Sequence, residues 1–121
     1  MSNDAIPQDP DCLFCKMARG EIPIDSLVDN PHVFAIRDIN PRAPVHVLVI
    51  PKAHVSDARA LTHAHGPMLG ELFSAAAEVA NIEAVSEDGY RLAFNVGAAA
   101  GMTIPHLHLH LLGGRGLGPE G

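Results

Sequence analysis

Apolar and polar positions alternate most strictly near the C-terminal end, over Thr103-Ile104-Pro105-His106-Leu107-His108-Leu109-His110-Leu111-Leu112. A period of two is that of a strand with one buried face. It places His106, His108 and His110 on one side, roughly 6.6 Å apart along the chain, and Leu107, Leu109 and Leu111 on the other. Pro105 lacks an N–H and fits the strand's first position. Val45-His-Val-Leu-Val-Ile50 reads as a second apolar strand, stopped by Pro51, with His46 on the same face as Leu48 and Ile50. Leu27-Val28 and His32-Val-Phe-Ala-Ile-Arg37 predict a hairpin turned at Asp29-Asn30-Pro31, and Tyr90–Asn95 a strand entered through Asp88-Gly89. Helical spacing appears twice. Met68, Leu69, Leu72, Phe73, Ala76, Val79 and Ala80 predict one long amphipathic helix over roughly 67–84. Leu13, Phe14 and Met17 predict a short one over about 13–19, ended by Gly20. Segment 56–66 shows neither period, 38–44 is a proline-broken loop, and 96–101 is a small-residue loop leading into the histidines.

A short helix, three strands, a long helix and two strands make an α+β domain with an antiparallel sheet of about five strands. At 121 residues the chain is expected to be one domain over 12–112. A flexible polar arm is expected over 1–11 and a glycine-rich tail over 113–121. The N-terminus has neither a basic nor an apolar leader region, and no apolar run approaches a membrane span, so a cytoplasmic location without a membrane partner is expected. Fourteen acidic against eight basic residues give a net charge of −6 with no basic stripe. Polymeric nucleic acid is therefore not an expected partner, whereas a small nucleotide held in a local pocket is compatible with that balance.

Three imidazoles at i, i+2 and i+4 suit either a metal site or nucleophilic and general acid–base chemistry. Cys12 and Cys15 are the only cysteines. Their C-x-x-C spacing fits a redox pair, half a zinc site, or chance. The redox option is disfavoured, because no strand of a βαβ unit precedes the pair and the adjacent Asp11 opposes a thiolate.

The histidine-x-histidine-x-histidine motif resembles that of the histidine triad (HIT) superfamily, and the likeness covers about residues 12–115. Phe34–His54, which contains Asp38 and His46, is similar to the family's central segment. Tyr90–Asn95, Gly101 and His106–Arg115 resemble its Hint branch of nucleoside phosphoramidases. The resemblance implies a HIT-like fold whose sheet continues across a homodimer, and a pocket for a purine nucleoside monophosphate or its conjugate. It also implies transfer through a covalent nucleotidyl-histidine, with no cofactor required for the chemistry. On this likeness His108 is the nucleophile and His110 a donor to phosphate oxygen. His106 and His46 complete the cluster, and Asn95 and Thr103 lie by the phosphate and leaving group, near Gly101. Asp38 would accept the ribose hydroxyls, and Leu13, Phe14, Ile36 and Ile39 would enclose the base.

The same likeness implies a structural zinc bound by Cys12, Cys15, His54 and His106, as in some bacterial HIT proteins. Two departures stand out: Met102-Thr103 replaces the branch's usual glutamine-serine, and the tail has no tryptophan. They keep open a nucleotide-binding adaptor with vestigial hydrolysis. A metallohydrolase using the three histidines as ligands is the third reading.

Overall fold

The structure, a computed structural model, describes residues 6–120. The expected N-terminal arm lies outside it at residues 1–5. Its later part is tied to the domain: the Pro7 carbonyl accepts the His54 N–H (2.7 Å), and the Gln8 amide donates to the Lys52 carbonyl (2.9 Å).

Two helices and five strands follow in the expected order: α1 Leu13–Ala18, β1 Ser26–Asp29, β2 Val33–Arg37, β3 Val45–Pro51, α2 Gly66–Ile82, β4 Tyr90–Phe94 and β5 Leu109–Gly113. The strands form one antiparallel sheet ordered β1-β2-β3-β5-β4, leaving β1 and β4 as its edges. The segment without periodicity contains two single 3₁₀ turns, Ala58–Ala60 and His63–His65, the second capped by the Thr62 side chain. Gly20, at φ +77°, closes α1 as expected.

The sheet is covered on both faces. Alternation sends Val33, Ala35, Val47, Val49, Leu109 and Leu111 to one face, where they bury Leu72, Ala76, Val79 and Ala80 of α2. The opposite residues, Phe34, Leu48 and Ile50, pack with Phe14 and both cysteines around α1. Phe73 was expected in the α2 stripe, but it sits at the stripe's margin. It is 44 % exposed and meets Phe94 edge-on at a ring separation of 6.4 Å.

The histidine strand begins later than its alternation predicts. The ladder places Val49 opposite Leu109, so two steps further on Leu107 would fall opposite Pro51, which has no N–H to give. The chain turns instead at Ile104–His106, and the Leu107 N–H finds the Val55 carbonyl (2.7 Å). Facing survives the loss of pairing: Leu107 enters the α2 core while His106 and His108 meet Phe14 on the other side. The strand also runs one residue further than expected, since Gly113 pairs with both Val45 and Tyr90.

Among the described residues no helix is long and apolar enough to cross a membrane.

Candidate active site

Because the ladder stops at Leu109, the His106 carbonyl makes no strand pairing. It accepts the Nδ1–H of His108 at 2.6 Å. A neutral imidazole carries one proton, so this bond fixes the tautomer and leaves the His108 Nε2 lone pair free. Phe14, 2 % exposed, packs edge-on against both His108 (5.2 Å) and His106 (5.7 Å), fixing the plane of each ring.

A second chain of hydrogen bonds fixes His110. The Arg42 backbone N–H donates to His46 Nδ1 (3.1 Å), so the His46 proton lies on Nε2. That N–H donates to His110 Nδ1 (2.9 Å), which leaves His110 with its own proton on Nε2. Nε2 lies 3.3 Å from the Asn95 amide. The amide atom nearest the ring is Nδ2, so the Asn95 NH₂ and the His110 N–H lie side by side as two donors. His110 is held near pKa 4, chiefly by burial and then by the neighbouring His108, His46 and Arg42. Burial likewise lowers His46, although Asp38 opposes the effect. Both rings are therefore neutral near pH 7. His110 presents an N–H donor beside the free lone pair of His108, and their ring centres are 5.0 Å apart.

Asp38 lies next to this chain, with Oδ2 3.5 Å from His46 Nε2 and Oδ1 accepting the Asn40 N–H (2.8 Å). Each oxygen keeps acceptor capacity for a further donor. Of the apolar residues expected around a base, Leu13 is 40 % and Ile39 91 % exposed, while Ile36 packs against the α1 cluster. Phe14 supports the histidines and has little surface left for a ligand. Gly101 (φ +87°) and Thr103 lie exposed in the loop before the triad. A cleft of about 460 Å³ opens beside Asn95 and His110, toward β4 and the tail.

His106 faces a different set of partners. Its Nε2–H donates to the Pro51 carbonyl (2.8 Å), which leaves Nδ1 as a lone pair aimed at Cys12 Sγ (3.2 Å), Cys15 Sγ (3.6 Å) and His54 Nδ1 (3.2 Å). His54 Nδ1 is 3.4 Å from Cys15 Sγ, and all four atoms lie within 4.8 Å of one another. A tetrahedral zinc with ordinary bond lengths implies edges of about 3.3 Å between nitrogens and about 3.6 Å between nitrogen and sulfur. The cluster fits that shell, and the His106–Pro51 bond is the outer contact that commonly orients a metal-bound imidazole. Burial raises the Cys15 thiol, and Cys12 beside it adds to this.

The triad thus divides. One ring joins the cysteines, one bonds to backbone, and one joins His46 and Asn95. The three do not converge on a common point, which removes the reading of a three-histidine metallohydrolase. Asp38, His46 and His110 also lie close together. However, the Arg42 N–H puts a proton on the very His46 nitrogen that a metal would need. Three features were not legible in the residue pattern: the Arg42 amide, the Pro51 carbonyl and the arginines of the cleft. The first two are backbone groups, which leave no mark in side-chain spacing.

The HIT domain family model matches residues 19–117. The chain belongs to the HIT family. It is 42 % identical over 107 residues to the purine nucleoside phosphoramidase of Escherichia coli K12, a match covering 88 % of this chain and 90 % of that protein. Among solved structures, a HIT family hydrolase from Clostridium thermocellum superposes with a TM-score of 0.89 at 43 % identity, covering 93 % and 98 % of the two chains. One from Legionella pneumophila gives 0.85 at 43 % identity, covering 88 % and 95 %. These hydrolase relatives support an enzymatic role, and the five-stranded sheet with its two helices is the HIT fold.

Proposed function

We propose that this HIT protein hydrolyses nucleoside 5′-phosphoramidates, or closely related nucleoside monophosphate conjugates, through a covalent intermediate on His108. The observation that carries the proposal is the 2.6 Å bond from His108 Nδ1 to the His106 carbonyl, which leaves Nε2 unprotonated on the ring next to His110. Nε2 attacks phosphorus, a P–N bond to His108 forms, and the bond to the leaving amine breaks. The amine departs with a proton passed through the hydroxyl of Thr103, which the family resemblance places with Asn95 near the leaving group, and the water of the second step returns that proton to Thr103. Water then attacks phosphorus, the His108–phosphorus bond breaks, and the nucleoside monophosphate leaves with a neutral imidazole behind it. Dividing one displacement into two is the usual advantage of covalent catalysis. The His110 Nε2–H and the Asn95 NH₂ donate to the non-bridging oxygens as charge grows on them. Asp38 accepts the ribose hydroxyls, and Leu13, Ile36 and Ile39 enclose a purine base. His46 acts on phosphate only through His110, as a positioning residue.

Cys12, Cys15, His54 and His106 are inferred to hold a structural zinc. Four protein ligands complete its shell, so the ion would supply rigidity to the His106 segment with no open position for substrate. A homodimer is inferred to extend the sheet beyond β4, where the exposed Phe73 and the half-buried Phe94 offer apolar surface.

The test is steady-state hydrolysis of adenosine 5′-phosphoramidate with and without EDTA in the assay. The proposal requires turnover that survives the chelator and falls by at least about a thousandfold in His108→Ala. Turnover abolished at once by the chelator, or unaffected in the variant, would refute it.

A further inference from the structure

The cleft beside Asn95 and His110 carries a charge that runs against the rest of the molecule. The protein has a net charge of −6 and only eight lysines and arginines, yet three of them, Arg42, Arg91 and Arg115, line this one cleft. Of the other five basic side chains, all but Lys16 are neutralised at short range. Arg19 is bound to Glu21 at 2.6 Å, Arg37 to Glu83 at 3.0 Å, Lys52 to Asp29 at 2.6 Å and Arg59 to Asp57 at 2.6 Å. In the cleft the pattern is reversed. Arg91 has only Glu120, at 3.8 Å and 80 % exposed, and among the described residues no carboxylate pairs with Arg42 or Arg115. Two of these arginines are instead oriented by backbone carbonyls: Arg91 donates to Gly118 (2.7 Å), and Arg115 to Arg42 (3.0 Å) and Gly116 (2.9 Å). Carbonyls hold a guanidinium in place without cancelling its charge.

The position of the cleft relative to the phosphate donors is fixed by the ladder. Arg91 pairs with Leu112, and Ala93 with His110, so Arg91, Ala93 and Asn95 share the histidine face of the sheet. The sheet order places Asp38, at the end of β2, on one side of His110 and β4 on the other. If ribose lies at Asp38 and phosphate at His108 and His110, the part of the substrate beyond phosphorus extends over β4 into the arginines. The tail residues Leu117–Pro119 form its outer wall.

We propose that this cleft binds an anionic leaving group. The favoured substrates are then nucleoside 5′-phosphoramidates whose amine bears a carboxylate or a phosphate a few bonds from the nitrogen. This rests on the phosphoramidase reading above and specifies its substrate class. A guanidinium meets either anion through paired N–H donors, and such charge-assisted bonds are strong when the groups are preplaced. Two arginines without a carboxylate partner, and a third paired only with the exposed Glu120, also raise the local concentration of an anion against the overall negative charge.

The experiment compares two adenosine 5′-phosphoramidates of equal size, formed from β-alanine and from β-alaninamide, with a phosphate-bearing ethanolamine conjugate as a third arm. Both kcat/KM and calorimetric affinity are measured, on the wild-type protein and on Arg42→Gln and Arg115→Gln. The wild-type protein should prefer an acidic conjugate over the amide by roughly tenfold or more. That ratio should shrink toward one in each variant and at high ionic strength. Which acidic arm is preferred distinguishes carboxylate from phosphate. Hydrolysis of acidic and neutral conjugates at equal rates with equal affinities, whatever the arginines, overturns the proposal and leaves the phosphoramidase reading standing. Arginine-dependent tighter binding of the acidic conjugates, with no conjugate hydrolysed, overturns the phosphoramidase reading and sustains the anion cleft.

Discussion

The backbone carbonyl of His106 holds the ring proton of His108, at 2.6 Å, while the His106 ring points away into the cysteine cluster. One residue therefore joins the metal-type cluster to the proposed nucleophile. Its side chain is fixed by Cys12, Cys15, His54 and Pro51, and its main chain sets the tautomer of the reacting imidazole. Phe14, in the helix that carries Cys15, packs against both rings and strengthens the connection.

Cys12→Ser tests that connection. Protein purified without chelator should contain close to one zinc per chain, and the variant should contain little. Loss of a closed four-ligand site removes several kcal/mol of stabilisation, so the melting temperature should drop by roughly 10 °C or more. Because the His106 carbonyl moves with its ring, kcat on a phosphoramidate should fall as well, although Cys12 does not touch substrate. Unchanged zinc content in the variant would show that this ligand set is wrong.

The neutrality of His110 gives a pH dependence of defined sign. Its folded pKa of about 4 lies below the ordinary 6.5, so the unfolded chain takes up the proton more readily. The contribution is complete above about pH 6.5 and is lost as pH falls toward 4. Between pH 7 and 5 it amounts to roughly 2 kcal/mol. Urea unfolding of wild type and His110→Gln at those two pH values should show the wild-type protein losing more stability than the variant. The His110 ring resonances should stay flat down to about pH 5.

Much of this was legible in the alternating pattern. The facing of His106, His108 and His110 opposite three leucines holds, and so does the shared face of His46, Leu48 and Ile50, because side-chain facing follows from extended backbone alone. The start of β5 was not legible. It depends on which residue the register brings opposite Leu107, and that residue is Pro51, some fifty positions away in the chain. The arginine cleft was hidden for a similar reason. Arg42, Arg91 and Arg115 come from three separate segments, and only the β3-β5-β4 order brings them together. The His110 tautomer rests on the Arg42 amide, and no sequence pattern reports a backbone N–H.

The tail wall of the cleft depends on Gly114. This residue adopts φ +89°, and a Cβ there would lie 2.9 Å from Pro44 Cβ. Gly114→Ala should cost roughly 2–3 kcal/mol, from left-handed strain together with the clash. By shifting Arg115 it should also weaken binding of acidic conjugates more than that of neutral ones. Urea denaturation checks the first effect and calorimetry the second.

Covalent attack by His108 forms an intermediate that can be trapped. Enzyme in excess over an adenosine phosphoramidate is quenched in alkaline denaturant, which preserves a phosphorus–imidazole bond, and the peptides are weighed. A transient adenylyl group should appear on the peptide containing His108, located on that ring and absent in His108→Ala. Turnover proceeding with no adduct at any time, or an adduct on another residue, would contradict covalent attack by His108.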